Sequence, residues 1–202
     1  MQPAIERLTT DRLAAERIRE EHLPHLLEMH SDPRVMATLG GQRSEGDTRR
    51  FLARQLDHWE RHGFGLWMVF DSGVPSSGSR VPGPEPRVPS QGGPRDRVSG
   101  RFVGRAGLRV VRLEEREEVE IAYAFMAHAW GRGLATEMAR ELVRVGFEEL
   151  KLPEIVGFTD LDNHASRRVM EKAGMRLDHE FAWEGLPHAL YRIARSTEAS
   201  NV

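Results

Sequence analysis

The feature that most constrains this chain is a pair of glycines, Gly131 and Gly133, between a strand-like segment and a helix-like one. Residues 119–126 are rich in β-formers, and apolar residues recur at helical spacing from Leu134 onward. A helix that begins directly after a glycine turn presents free backbone N–H groups and the positive end of its dipole. Because glycine has no Cβ, an anion can approach the main chain closely there. The pattern therefore predicts a cradle for a phosphate or pyrophosphate group.

Three kinds of phosphate loop place a glycine turn before a helix. A nucleotide-hydrolase loop needs a Lys-Ser or Lys-Thr pair after its last glycine, and this chain has none there. A dinucleotide fingerprint needs a third small residue where this chain has Thr136. Asp160 supplies an acidic residue after the next predicted strand, so a dinucleotide-binding protein stays open as an alternative. The third kind is a loop that holds the pyrophosphate of an acyl-coenzyme A.

Two motifs together favour the acyl-coenzyme A loop. The first is Glu-Ile-Ala-Tyr at 120–123 followed by Trp-Gly-Arg-Gly-Leu-Ala-Thr-Glu at 130–137. The second is Asn-His-Ala-Ser at 163–166 followed by Glu-Lys-Ala-Gly-Met at 171–175. These motifs resemble those of the GNAT superfamily of N-acetyltransferases, and are most similar to the ribosomal-protein N-terminal (Rim-type) subgroup. The tight match covers residues 119–175, and a looser match extends over most of the chain.

The resemblance implies an α+β fold. In the GNAT acyl-CoA N-acyltransferase fold, a mixed, mostly antiparallel sheet splays at its central strands and carries helices on both faces. The element order predicted from the sequence agrees: β-α-α-β-β-β-α-β-α-β-β, with one helix capped at Ser44 and ended at Gly63. Such a mixed order disfavours a doubly wound dinucleotide fold. All 202 residues are expected to form a single GNAT domain.

Residues 72–100 differ in composition from the rest of the chain. They contain six Pro, six Gly and six Ser and almost no large apolar side chain, which predicts a disordered segment. The segment lies between two predicted strands, and long insertions in such connections cost little. A regulatory or lid segment is the alternative interpretation.

Overall composition limits the classes of function. The net charge is −2, so we expect no general attraction for nucleic acid or an anionic membrane. The absence of cysteine excludes disulfides, thiolate metal sites and a cysteine-linked acyl-enzyme. The sequence has no apolar run long enough to predict a signal peptide or a membrane span, so we expect a cytoplasmic protein. We expect it to be a monomer or a homodimer.

The resemblance also implies a set of coenzyme-binding residues. Those expected to bind acetyl-CoA are Phe125, Met126, Arg132, Gly133, Leu134, Ala135, Thr136, Asn163 and Ser166. The residues of the glycine turn would hold the pyrophosphate, mainly through backbone N–H groups. The end of the central strand would pair with the pantetheine arm, and the Asn/Ser pair would contact its amides. The structural alternatives are an ordinary glycine turn and a helix cap at Asn163.

Glu120 is the candidate general base. The period-2 alternation of a strand puts it on one face with Ala122, Ala124 and Met126. A carboxylate flanked by apolar residues is poorly hydrated and takes up a proton more readily, which suits deprotonation of an amine. A structural carboxylate bonded to the neighbouring strand is an equally weighted alternative.

Ser166 is the candidate donor to the leaving thiolate. Many GNAT enzymes use a Tyr one helical turn further on, but this chain has Met170, which cannot donate a proton. Ser166 or solvent must then replace it. The departure keeps a second function open, a non-catalytic acyl-CoA-binding module.

The resemblance implies an acyltransferase that moves an acetyl group from acetyl-CoA to a primary amine. The acceptor would be a small molecule or a peptide or protein N-terminus, acetylated by direct transfer in a ternary complex. Segments 36–43 and 181–188 are expected to line its pocket. His58 and His62 have the spacing of zinc ligands, but no third ligand is evident and no metal is expected.

Overall fold

The computed structural model describes residues 5–73 and 100–195. Within them, eight strands form one sheet in the order β1-β2-β3-β4-β5-β6-β8-β7. The strands are β1 (Arg7–Thr9), β2 (Leu13–Arg17), β3 (Leu66–Asp71), β4 (Arg101–Leu113), β5 (Arg116–Phe125), β6 (Glu154–Asp160), β7 (Arg176–Trp183) and β8 (Leu186–Ala194). The helices are α1 (Leu23–Ser31), α2 (Pro33–Met36), α3 (Glu45–His62), α4 (Leu134–Arg144) and α5 (His164–Lys172).

The sheet is antiparallel except between its two central strands. Strands β5 and β6 are parallel, and in the described residues their register consists of one pair, Glu120 with Val156. Beyond that pair the strands diverge, since β5 continues to pair with β4 and β6 with β8. The predicted splay is confirmed. A mostly antiparallel sheet also contradicts the dinucleotide alternative, which requires a doubly wound parallel sheet.

Helices cover both faces of the sheet. Along β4, the side chain of Arg105 contacts Phe51 of α3, while Leu108 points to the opposite face. There, a Cβ added to Gly146, in the π-helical turn that continues α4, would touch Leu108 and Ile155. None of the helices in the described part of the chain combines the length and the apolarity needed to cross a bilayer.

The β4–β5 turn is short. The charged run 114–118 by itself predicts a solvated hairpin turn, and this is wrong for most of the run, because β5 already begins at Arg116. Only Glu114 and Glu115 turn, with φ values of 43° and 69°. The acidic side chain of Glu118 lies inside the strand because Arg192 of β8 pairs with it.

A short edge strand also differs from the prediction, and one predicted segment lies outside the described residues. The three-residue strand β1 was missed, because one buried Leu8 between exposed neighbours gives almost no pattern. The predicted disordered segment 72–100 lies outside the described residues, apart from Ser72, Gly73 and Gly100. At its ends Asp71 pairs with Arg101, so the strands that it connects are adjacent.

Candidate active site

The glycine turn is open over its main chain. Gly131 and Gly133 have φ values of 74° and 77°, a region that favours glycine. Gly133 is the N-cap of α4 and no side chain caps the helix, so the N–H groups of its first turn remain available. A Cβ on Gly131 would meet no atom within 4 Å, and one on Gly133 would meet only the Arg12 guanidinium at 3.7 Å. The turn therefore has the space and the donors that an anion requires.

A half-buried ion pair supports this turn. Arg12 donates from Nε to Glu137 Oε2 at 2.7 Å and from Nη1 to the Arg132 carbonyl at 2.8 Å. Thr10 Oγ1 donates to Glu137 Oε1 at 2.5 Å. Partial burial acts to raise the pKa of Glu137, but these hydrogen bonds hold it below the ordinary value. Glu137 belongs to the quoted motif, whereas its partner Arg12 was not predicted because it lies 125 residues away, directly before β2.

The side chain of Arg132 is not free in this structure. Its Nη2 atom lies 2.7 Å from Asp71 Oδ2, and this hydrogen bond lowers the pKa of the aspartate. Leu134 is buried, while Ala135 and Thr136 are half-buried. The predicted pyrophosphate residues thus offer main-chain N–H groups, and the Arg132 charge must leave Asp71 before it can serve an anion.

The end of β5 offers fewer main-chain groups than expected. The N–H of Met126 donates to the Val103 carbonyl at 2.9 Å, so it belongs to the sheet. The carbonyl of Phe125 accepts a hydrogen bond of 2.8 Å from the indole of Trp130, whose side chain is otherwise exposed. The side chains of Phe125 and Met126 are both buried. A pantetheine arm that binds the Phe125 carbonyl must either share it with the Trp130 indole or displace that side chain.

Asn163 and Ser166 lie together at the start of α5. Asn163 Oδ1 accepts from the Ser166 N–H at 3.1 Å, which confirms the helix cap. Tyr123 Oη donates to the Ser166 carbonyl at 3.0 Å and lies 2.9 Å from Ser166 Oγ. Since a phenol has one proton, the Ser166 hydroxyl donates to Tyr123 when Tyr123 donates to the carbonyl. These bonds join β5 to α5 across the splayed part of the sheet.

Tyr123 is a functional candidate that the sequence analysis missed. Burial raises the pKa of its phenol, so Tyr123 is protonated at neutral pH. Tyr123 belongs to the Glu-Ile-Ala-Tyr motif. The sequence signal for it was the alternation of side chains along β5, which puts Tyr123 and Glu120 on opposite faces of the strand. Met170, the residue at the expected Tyr position, is 2% exposed and part of the core.

Glu120 faces a row of small residues and an arginine. It is 4% exposed, and its Oε2 atom accepts from Arg109 Nε at 2.6 Å. Arg109 is its register partner on β4, and the negative charge of Glu120 raises the pKa of that guanidinium. Ala122 and Ala124 share this face, opposite Gly107 and Arg105. The bond to the neighbouring strand is the one that the structural alternative expected, and the small neighbours leave the space that a base needs.

Three cationic or ionisable side chains surround Phe51 on the same side of the sheet. The guanidinium carbons of Arg105 and Arg43 lie 4.8 and 5.1 Å from the Phe51 ring centroid, and the His30 ring lies 5.0 Å from it. Arg105 is 6% exposed; burial, then the charges of Arg109 and Arg43, lower its pKa to about 9. Burial and the two arginines lower the pKa of His30 to about 3.

The two segments predicted to line the acceptor pocket approach this group. Arg43 ends the first segment, and burial lowers its pKa. The charge of Glu184, in the β7–β8 turn of the second segment, acts in the opposite direction on the pKa of Arg43. Arg43 therefore joins the first segment to the group around Phe51.

His58 is held by the backbone on both sides. Its Nδ1 donates to the Phe64 carbonyl at 2.9 Å, and its Nε2 accepts from the Val110 N–H at 2.9 Å. Burial lowers its pKa to about 4, which agrees with a neutral ring. Neither nitrogen has a lone pair left for a metal, and residues 5–73 and 100–195 contain no group of three or more His, Asp or Glu side chains that could hold one.

Comparison with known proteins identifies the family. A family model described as an acetyltransferase (GNAT) domain matches residues 12–176. The uncharacterized protein YkkB of Bacillus subtilis (strain 168) is 26% identical over 186 residues, which are 92% of this chain and 94% of YkkB. The FsC-acetyl coenzyme A-N(2)-transacetylase of Aspergillus fumigatus is 30% identical over 180 residues, 83% of this chain but only 64% of that enzyme.

A solved structure agrees with the fold. RimL, the ribosomal L7/L12 alpha-N-protein acetyltransferase in complex with coenzyme A, has a TM-score of 0.66 and 13% identity; the match covers 93% of this chain and 96% of RimL. The family model spans the splayed strands, the glycine turn and all of α5. The chain therefore belongs to the GNAT family of acetyltransferases, enzymes that use acetyl-CoA as the acyl donor.

Proposed function

We propose that this acetyltransferase moves the acetyl group directly to a primary amine of a small molecule or of a peptide or protein N-terminus. The observation that carries the proposal is the position of Glu120. It is the residue at which β5 and β6 part, and it shares a face with Ala122 and Ala124, which lead toward the glycine turn. An acceptor over these alanines would meet a donor lying in the gap between the strands.

In this proposal the glycine turn holds the pyrophosphate. The N–H groups of Gly133, Leu134, Ala135 and Thr136 donate to its oxygens, and the helix dipole adds favourable potential. The bonds from Arg12 keep the turn in its open shape. Holding the donor by its pyrophosphate fixes the thioester in one position, which reduces the entropy that direct transfer must overcome.

Glu120 acts on the amine. The attacking nitrogen must lose a proton as it bonds to the thioester carbon, and a carboxylate within reach accepts it directly or through a water molecule. The hydrogen bond from Arg109 to Oε2 orients the carboxylate. The small side chains of Ala122 and Ala124 leave room for the acceptor beside it.

Ser166 and Tyr123 act on the leaving thiolate. As the C–S bond breaks, the Ser166 hydroxyl gives its proton to the sulfur and takes one from Tyr123, 2.9 Å away and protonated because burial raises its pKa; water then returns a proton to the phenolate. This pair would take the role that Met170 cannot fill. Asn163 caps α5 and so fixes the position of Ser166.

A non-catalytic acyl-CoA-binding module is the second candidate. The observation that favours it is Met170, buried where many relatives of this type use a Tyr. Such a module would bind coenzyme A and leave the thioester intact with every amine. A catalyst would release free thiol.

An acceptor screen tests the proposal. The purified protein is incubated with acetyl-CoA and a panel of peptides, polyamines and aminoglycosides, while thiol release and acetylated products are followed by mass spectrometry. We expect thiol release that depends on the amine and falls in Glu120→Gln. Tight coenzyme binding without turnover on any amine would favour the module.

We also propose that the protein works in the cytoplasm, as a monomer or a homodimer. What supports this is composition: no cysteine and a net charge of −2. Cell fractionation and sedimentation of the purified protein test the two points.

A further inference from the structure

The acceptor side of the sheet carries positive charge that the described residues do not neutralise. We name Arg43, Arg105 and Arg109 the arginine cluster. Arg109 forms an ion pair with Glu120. Within residues 5–73 and 100–195, no carboxylate lies within ion-pair distance of Arg43 or Arg105, although Arg105 is buried and Arg43 is half-buried. The cluster therefore has an excess of cationic groups over carboxylates.

Two of its hydrogen-bond donors are also unused. Arg105 Nε and Arg43 Nη1 are buried and have no hydrogen-bond partner among the described residues, and the Nε2 atom of the adjacent His30 also has none. Leaving a buried charged donor without an acceptor costs more free energy than leaving a buried neutral donor without one. The reason is that a charged group loses more hydration free energy when it is buried. Buried polar groups without partners are rare, and an absent ligand is one explanation for them.

The position of these donors identifies what would use them. Arg105 is the register partner of Ala124, and Arg109 is that of Glu120, so both arginines project from the face on which the amine is proposed to lie. The two are four residues apart on β4, roughly 13 Å between Cα atoms. Arginine side chains are long. From these two positions they reach a second functional group of a small acceptor while the amine of that acceptor is near Glu120.

We propose that the arginine cluster binds a carboxylate of the acceptor, with Arg105 as the main contact and Arg43 in support. This names the acceptor class, an amine that also carries a carboxylate, and it rests on the proposed function. Guanidinium groups match the two oxygens of a carboxylate in geometry. A carboxylate adds one negative charge, whereas a phosphate would bring about two to a face that already contains Glu120.

A purely structural explanation makes a different prediction. The Arg105 guanidinium lies over Phe51, and a cation–π contact that is withdrawn from water stabilises the fold. If that were its whole role, replacing Arg105 would lower stability and would change turnover of all acceptors by the same factor.

The test compares acceptors that differ in one group. Each amine with a carboxylate is paired with its amide: free amino acids form one arm, and short peptides with Asp or Glu near the N-terminus form the other. Phosphoethanolamine serves as the phosphate probe. We expect kcat/KM for the acid to exceed that for the amide at least tenfold in one arm, and the arm identifies the source of the carboxylate.

Arg105→Met keeps the apolar stem and removes the charge. We expect it to lower kcat/KM for the acid at least tenfold more than for the amide, with coenzyme affinity retained. Arg112→Met, at an exposed arginine on the same strand, is the matched control and should keep the wild-type ratio. Melting curves accompany both, and Arg105→Lys and Arg43→Met replace Arg105→Met if that variant fails to fold.

The outcomes separate this inference from the function on which it rests. Equal turnover of acid and amide, preference for the phosphate, or an Arg105→Met loss equal for both members of a pair would overturn the carboxylate site. Absence of thiol release with every amine, neutral ones included, would instead overturn the proposed acetyl transfer.

Discussion

The glycine turn and the arginine cluster are both suited to an anion, but they are built differently. At the turn, main-chain N–H groups at the start of α4 face outward from glycines that are themselves exposed. In the cluster, donors come from side chains that are buried against Phe51. Exposed N–H groups remain hydrated without a ligand, whereas buried guanidinium donors do not.

This difference has consequences for stability. The turn is held by the hydrogen bonds that Arg12 makes with Glu137 and with the Arg132 carbonyl. The cluster keeps like charges together: burial, and then the neighbouring arginines, lower the pKa of Arg105 and of the adjacent His30. The fold therefore bears an electrostatic cost at the cluster that it does not bear at the turn.

The largest effect is expected from Glu120→Gln, which should impair the acceptor side of the site and leave the glycine turn unchanged. Loss of a general base should reduce turnover by about 100-fold at low pH, while coenzyme affinity stays unchanged. Part of the loss should return as pH rises toward the pKa of the acceptor amine, because more of the amine is then already neutral. Turnover against pH and calorimetry with coenzyme A measure both quantities.

Glu118→Gln is the matched control, since Glu118 lies two residues away on β5 and pairs with Arg192. It should lose stability without the pH-dependent loss of turnover. A Glu120→Gln deficit that is the same at every pH would end the general-base assignment and leave the ion pair with Arg109 as its role.

Gly133→Val changes the glycine turn instead of the acceptor side. It adds a β-branched side chain where the phosphate should lie, and coenzyme affinity should fall at least about tenfold. Gly63→Val is the control, because Gly63 has a φ of 73° and equally open space at the end of α3. Both variants share the backbone strain. If calorimetry gave the same coenzyme affinity for both, the glycine turn would not be part of the coenzyme-binding site.

Glu137→Gln tests the support beneath the turn. Weakening its bonds with Arg12 should cost about 1 kcal/mol, or about fivefold in coenzyme affinity, with no change in acceptor preference. The control is Glu141→Gln on the same helix, whose partner is Arg144. If the two variants bind coenzyme A equally, the Arg12–Glu137 pair is merely structural.

Acid should destabilise the protein through two buried histidines. The folded-state pKa is about 3 for His30 and about 4 for His58, below the ordinary 6.5, so the unfolded chain binds protons first. Stability is retained above pH 6.5 and is lost as pH falls toward these values, by up to about 1.4 kcal/mol per pH unit for each histidine. Urea unfolding between pH 4 and 7 measures the slope.

His30→Gln should flatten this slope by the contribution of one histidine, with the wild-type protein as its reference. His30 is next to the arginine cluster, so a carboxylate bound there should also reduce the loss at low pH. A slope unaffected by the substitution would show that His30 is protonated without penalty.

The smallest effect is expected from replacing residues 74–99 by a short Gly-Asn turn. Asp71 and Arg101 are already register partners, so a short connection suits the β3–β4 hairpin. Melting temperature and coenzyme affinity should both be unchanged, which calorimetry of the two proteins checks. A large loss of coenzyme affinity would assign the segment a role at the site.

The local parts of the site were readable from the sequence. The glycine turn, the start of α4 and the caps at Ser44 and Asn163 lie where the sequence placed them. Each depends on hydrogen bonds and backbone angles within a few consecutive residues, and residue type constrains those directly. The splay was predicted through the family resemblance, because the motif residues on β5 and α5 accompany that fold.

The long-range parts were decided only by the tertiary structure. Arg12 meets Glu137 across 125 residues, and Tyr123 meets Ser166 across 43. Arg105 appeared in the sequence as one of many arginines, and only the strand register and the packing of α3 bury it beside Phe51. Sequence motifs determined where the main chain can receive a phosphate, since that depends on local conformation. Which charges are buried together on the acceptor side depends on register and packing, and these are properties of the whole fold.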